Sequence, residues 1–249
     1  MKLVSPRLMI FLTVAIGGGS LILFGYFLSA GTPFPVDIAR SDTGRLTFDS
    51  LLCVIFFVQH SGMIRRGAKG RMARRLPASY LPALYSIASG LALLTVVLLW
   101  QPTSHVLFRL HGPVRWLSTF VSLAALAGFV WGVVALRGFD PFGTHPLRAA
   151  SLGTPPPSSV FVVRGPYRYV RHPLYLFMLI LIWATPHLST DRLLFNLLWT
   201  AWVVVGTRLE ERDLLTDFGQ TYRQYRHSVP MLIPLPGFLR HDRQDHSGA

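Results

Sequence analysis

The stretch Tyr80-LPALYSIASGLALLTVVLL-Trp100 holds no charged side chain over 21 residues. At 1.5 Å rise per residue such a run spans the roughly 30 Å hydrocarbon core of a bilayer as one α-helix. It is not alone. Comparable runs lie at Leu8–Ala30, Phe48–Ile64, Arg115–Leu136, Leu174–His187 and Leu193–Leu209. The expected fold is therefore all-α, a polytopic membrane helical bundle of about six spans. The fifth run is short, and Pro186 ends it. His187–Arg192 leaves room only for a tight connection, so the last two runs form a helical hairpin. No apolar–polar alternation is long enough to predict a sheet.

Composition agrees. Over 249 residues, AVILMFWYC make up 51% and DEKR only 14%, against about 25% charged in a typical soluble domain. The mean hydropathy is +0.43 and the isoelectric point near 11. One cysteine, Cys53, excludes a disulfide scaffold, and the apolar content excludes disorder. A net charge of +13 would ordinarily point to nucleic acid, but the apolar spans argue for a membrane and no nucleic-acid partner.

The basic residues then give an orientation. With the N-terminus cytoplasmic, the inner segments hold Lys2 and Arg7, the six between Arg65 and Arg75, five between Arg137 and Arg171, and six from Arg208 to Arg243. That is 19 of the 24. The positive-inside rule places both termini in the cytoplasm, in a bacterial inner membrane, beside anionic lipid headgroups. The first run is too long for a signal h-region, so it is read as a retained helix. The organisation expected is four spans over 1–136, a cytoplasmic loop over 137–173, a hairpin with an interfacial helix over 174–236, and a disordered tail over 237–249. The interfacial helix is read from Phe218, Tyr222, Tyr225 and Val229, at steps of 4, 3 and 4. It starts after Gly219 and stops before Pro230.

Polar chemistry gathers in two inner segments. The first is Val163-Arg-Gly-Pro-Tyr-Arg-Tyr-Val-Arg-His-Pro-Leu-Tyr175. His172-Pro173 suits a helix start, whose free N–H groups beside Arg168, Arg171 and His172 favour a carboxylate or phosphate. The alternative is snorkelling arginines and interfacial tyrosines. The second is Arg208-Leu-Glu-Glu-Arg-Asp213, which contains the only two glutamates, Glu210 and Glu211. Acid at the end of a span opposes the helix dipole and is costly at the membrane edge. The alternative is an ion-pair network with Arg208 and Arg212. A hairpin brings both segments to one side, where an anion-binding end and a cation-binding end suit a zwitterion with an amino-acid moiety. His60, in Gln59-His60-Ser61, is a third candidate as an intramembrane polar residue. Neither HxxxH nor CxxC spacing predicts a metal, and no P-loop, GxSxG or strand-bound GxGxxG is found. Gly17-Gly18-Gly19 lies within a span, where small residues aid helix packing.

These residues resemble the integral-membrane methyltransferases of the isoprenylcysteine carboxyl methyltransferase type. The match runs through Gly165-Pro-Tyr-Arg-Tyr-Val-Arg-His-Pro-Leu-Tyr175, the hairpin, Glu210-Glu211-Arg-Asp-Leu214, Phe218-Gly219-x-x-Tyr222-x-x-Tyr225 and Val229-Pro230. Islands at Phe57–Met63, Trp100-Gln101-Pro102, Phe139–Gly143 and Trp183–Pro186 look most like the bacterial methanethiol S-methyltransferases and their NnrU-like relatives. The chain departs from these at Leu81-Pro82 and at Thr144-His145-Pro146. The resemblance implies S-adenosyl-L-methionine as cofactor, with Tyr167, Arg171, His172, Tyr175, Arg208, Glu210 and Glu211 around it. It implies a small apolar thiol or other lipophilic acceptor. His60 or His172 is then the candidate base and Arg171 an electrostatic partner of the thiolate, while Tyr167, Tyr169 or Tyr175 could face the sulfonium. Rival acceptors are a prenylcysteine carboxylate and a phospholipid amine. A transporter or non-enzymatic accessory protein is the rival of another class.

Overall fold

The computed structural model describes residues 4–136, 138–155 and 161–234; the expected tail, 237–249, lies outside the described residues. The described residues hold eight α-helices: α1 (Pro6–Ala30), α2 (Asp42–Met63), α3 (Arg66–Ala73), α4 (Leu81–Leu99), α5 (Gly112–Ala135), α6 (His145–Leu152), α7 (Pro173–Trp183) and α8 (Thr190–Ser228). Among the described residues four segments are long and apolar enough to cross a membrane: α1, α2, α4 with its leading 3-10 turn, and α5. The chain is an all-α polytopic membrane protein.

The last two expected spans differ from their sequence reading. Helix α7 has 11 residues and stops at Trp183, not at His187. At about 16 Å it covers half of a bilayer core. The residues after it, His187–Ser189, form strand β2, antiparallel to β1 (Val106–Arg109). This two-stranded ladder was not expected; its strands are too short for alternation to register. Helix α8 runs for 39 residues without ending at Asp213. Glu210 and Glu211 are therefore mid-helix, and the expected conflict with a helix C-terminus does not arise. The break comes at Gly219, where φ is 52° and ψ −120°, a region open to glycine and costly for other residues.

The chain divides into two compact units. The first comprises residues 1–109, 140–159 and 187–199. Here α1 and α4 cross closely: a Cβ on Gly90 would lie 3.0 Å from Ile16 Cγ2 and 3.1 Å from the Ile16 carbonyl. Gly17 likewise leaves room for the Phe142 ring and Ser86. Asp140 starts α6 by accepting from the His145 amide at 2.5 Å and from Thr144 Oγ1 at 3.4 Å. Gly143, at φ +67°, packs on Pro82.

Polar ties close the other end of this unit. Gln101 is buried; its Oε1 accepts from the Ile38 amide at 2.8 Å, and its Nε2 donates to the Val36 and Leu99 carbonyls. Asp191 accepts from Trp100 Nε1 at 3.0 Å and Thr103 Oγ1 at 2.8 Å. Arg192 donates to the Phe27 and Leu28 carbonyls at the end of α1, where a cation suits the helix dipole. Its guanidinium lies 5.0 Å from the Phe27 ring centre and 5.3 Å from that of Phe195. The Trp100-Gln101-Pro102 island is therefore structural. So is the Asp140–Gly143 part of the next island.

The second unit comprises residues 110–139, 160–186 and 200–249. Helix α5 packs on α7 through glycine: a Cβ at Gly128 would strike the Phe177 ring, and one at Gly132 would meet Leu174 Cδ2 at 2.6 Å. Ser118 and Ser122 of α5 donate to the Ala184 carbonyl at the end of α7. Tyr222 and Tyr225 of α8, with Val229 just beyond it, form a buried cluster with Phe161, Val163 and Phe218. The 4, 3, 4 stripe, expected to face the membrane surface, is thus packed on the protein's own residues.

Candidate functional site

The site grows from the start of α7. A 3-10 turn over Gly165–Arg168 precedes it, and Gly165 at φ +54° allows the turn to sit against Trp131 and Ala135. Tyr225 Oη donates to the Tyr167 carbonyl at 2.6 Å, fixing the turn to α8. Pro173 then opens α7 with no side chain capping its N-terminus. The first N–H groups of a helix have no partner within it, so this end presents positive charge.

A strap from the chain beyond α8 crosses this point. The Arg171 amide donates to the Pro230 carbonyl at 2.9 Å, and the His172 amide to the Met231 carbonyl at 3.1 Å. The Arg171 side chain reinforces the strap through Nη1, which donates to the carbonyls of Arg226 at 2.9 Å and Val229 at 2.5 Å. Its Nε and Nη2 both donate to Glu211 Oε1, at 2.7 and 2.6 Å. All three guanidinium nitrogens are thus engaged.

His172 is buried between the two glutamates. Its Nε2 lies 3.3 Å from Glu211 Oε1 and its Nδ1 3.9 Å from Glu210 Oε2. The Glu211 side chain is 10% exposed and that of Glu210 44%. Burial alone would raise the Glu211 carboxyl. Hydrogen bonds from His172 and Arg171, with the charge of Arg171, outweigh it and lower the pKa to about 2. Glu211 is therefore a fixed anion neutralised inside the protein. Glu210 is the carboxylate that remains open.

Aromatic rings complete the surroundings. The Tyr175 ring is 5.8 Å from that of His172. The Tyr167 phenol is pushed above its ordinary pKa by burial and by the Glu210 charge. Tyr167, Arg171, His172, Tyr175, Glu210 and Glu211 thus come together in one unit. Arg208, one turn before Glu211, is exposed, and the partner of Glu211 is Arg171 rather than Arg208. His60 belongs to the first unit, where Tyr85 Oη lies 2.8 Å from its Nε2. Among the described residues no group of three or more His, Cys, Asp or Glu is placed to hold a metal ion.

The strap and Tyr225 were not recognised as parts of the site from the sequence. Tyr225 and Val229-Pro230 belong to the pattern that carries the family resemblance and Tyr225 also to an apolar stripe, but neither gives a role, and backbone carbonyls at 230–231 leave no side-chain signal.

The family model described as "NnrU protein" matches residues 50–234, which include every one of these site residues. The chain belongs to the NnrU family. Similar to this NnrU-family chain are proteins named methanethiol S-methyltransferase. That of a Pseudomonas species is 34% identical over 222 residues, covering 86% of this chain and 84% of the relative. That of Mycobacterium tuberculosis is 32% identical over 241 residues, 91% and 97% of the two chains. Nurim of Rattus norvegicus is 30% identical over 190 residues, 70% of each. No solved structure matches.

Proposed function

We propose that this NnrU-family protein is a membrane methyltransferase that uses S-adenosyl-L-methionine to methylate a small thiol, methanethiol foremost. The observation that carries the reading is the open Glu210 carboxylate beside His172, at the uncapped start of α7. These groups fit the ligand. Glu210 offers an acceptor to the α-amino group, the α7 N-terminus offers donors to the carboxylate, and Tyr175 and Tyr167 offer ring faces to a sulfonium. The names of the Pseudomonas and Mycobacterium relatives support the acceptor.

When bound, the cofactor supplies an electrophilic methyl group on a positively charged sulfur. The chain's own residues supply position. The Arg171–Glu211 tie and the strap hold the start of α7 against α8, so Glu210 and the α7 amides keep a fixed spacing. Arg171, offered by the sequence as an electrostatic catalyst, has its donors engaged in this tie and is a positioning residue. His172, in the same unit as Glu210, and His60, hydrogen-bonded to Tyr85 in the first unit, are the candidates to take the thiol proton, since the thiolate is the nucleophile. We also place both termini on the cytoplasmic side of a bacterial inner membrane, from the arginine distribution.

The test is cofactor binding to purified protein by calorimetry, followed by turnover with methanethiol. Binding of S-adenosylmethionine that Glu210→Gln weakens supports the site. Absence of binding by the wild-type protein would remove it. Turnover of a prenylcysteine without turnover of methanethiol would keep the site and replace the acceptor.

A further inference from the structure

The end of α8 carries a second charged surface that the cofactor site does not use. After the break at Gly219 the helix resumes to Ser228, with Tyr222 and Tyr225 buried on one face. The other face carries Arg223, Arg226 and His227, all exposed. Spacings of three and four residues make them neighbours on the helix surface. Together with Leu215, from before the break, they line a half-open cavity of about 240 Å³.

This lining selects an anion: it offers two guanidinium groups, an imidazole and an apolar wall, with no carboxylate among them. Guanidinium forks match phosphate oxygens in bidentate geometry. The position also matters. The turn follows the apolar stretch 193–209 of α8 in a protein with membrane-spanning helices, and its aromatic face is packed on the protein, which leaves the basic face outward. The phosphate in greatest local supply there is that of a phospholipid. A choline or ethanolamine head would bring its own cation against Arg223 and Arg226, whereas a glycerol head would not.

We propose that Arg223, Arg226, His227 and Leu215 form a headgroup site for an anionic phospholipid, its phosphodiester held by the two arginines and its glycerol carbons against Leu215. The Arg226 carbonyl accepts from Arg171 Nη1, so the turn that holds the lipid is one that the Arg171–Glu211 tie rests on. A ligand that binds only the folded chain stabilises it, and here the stabilisation falls on that turn. The proposal does not depend on methyl transfer.

The test is the melting temperature of the full-length protein in detergent, titrated separately with short-chain phosphatidylglycerol, short-chain phosphatidylcholine and inorganic phosphate. Phosphatidylglycerol should give a saturable rise that the other two do not match. Arg223→Gln, at an exposed position, should weaken the apparent affinity by about tenfold, the loss expected of one charge-assisted contact. Arg223→Gln/Arg226→Gln should abolish the rise while leaving the Arg226 carbonyl in place. Arg66→Gln/Lys69→Gln in α3 removes as much charge elsewhere and should leave the rise intact. An equal response to phosphatidylcholine, an equal response to inorganic phosphate, or an equal loss in the α3 variant would each overturn the proposal.

Discussion

Arg171 Nη2 lies 2.6 Å from Glu211 Oε1, and the two side chains are 9% and 10% exposed. The partners are 40 residues apart in sequence, one at the start of α7 and the other in mid α8. Through this contact the buried, internally neutralised carboxylate is distinguished from Glu210, whose side chain is 44% exposed.

Removing either partner leaves an unpaired buried charge, which costs about 3–5 kcal/mol in measured cases. Arg171→Met should therefore lower the melting temperature of the detergent-solubilised protein markedly, and Arg171→Met/Glu211→Gln should be less harmful than the sum of the single changes. Additive losses in that double-mutant cycle would show that the two residues act independently.

Glu210→Gln should behave differently. Its side chain is half exposed, so the melting temperature should hold. S-adenosylmethionine binding should weaken by about 1.5–3 kcal/mol, the value of one charge-assisted hydrogen bond. Calorimetric titration separates the two effects. An unchanged dissociation constant would assign the amino group to another acceptor.

Glu211 also sets an acid limit. Its folded-state pKa of about 2 lies below its ordinary 4.5, so the stability it contributes is fully present above about pH 5. That contribution is lost as pH falls from 4.5 toward 2. The difference in melting temperature between wild type and Glu211→Gln should stay constant from pH 7 to about 5 and shrink below it. A difference that already fades near neutrality would contradict the tie.

Much of this was legible in the sequence, for reasons that differ by residue. Spans α1, α2, α4 and α5 follow from long apolar runs, and the helix break at Gly219 follows from a glycine inside an otherwise regular 4, 3, 4 stripe. Glu210 and Glu211 stood out because the chain has no other glutamate. The partner of Glu211 was not legible. Helix spacing pointed to Arg208, whereas the contact made is a long-range one that local periodicity does not encode. The strap at Pro230–Met231 was hidden because its hydrogen bonds use backbone carbonyls. Likewise, α7 ends early because Ser118 and Ser122 of α5 take up the Ala184 carbonyl, a tertiary contact.

Gly165 tests the local frame of the site. A Cβ there would lie 2.9 Å from Ala135 Cβ and 3.0 Å from Trp131 Nε1, at a φ of +54°. Gly165→Ala should cost about 1–3 kcal/mol through overpacking and strain, read as a lower melting temperature. It should also weaken cofactor binding, because the same turn carries Tyr167.

His60→Asn should lower the rate of thiol methylation by about 10²–10⁴-fold, the usual worth of a general base, while cofactor binding stays as in wild type. An unchanged rate at saturating thiol would remove His60 from the reaction.

The central claim is tested most directly by supplying purified protein with S-adenosylmethionine and methanethiol and assaying the headspace for dimethyl sulfide. Wild type should release dimethyl sulfide in step with S-adenosylhomocysteine, and Glu210→Gln should need a higher cofactor concentration for the same rate. No dimethyl sulfide from folded, cofactor-binding wild-type protein would contradict the account.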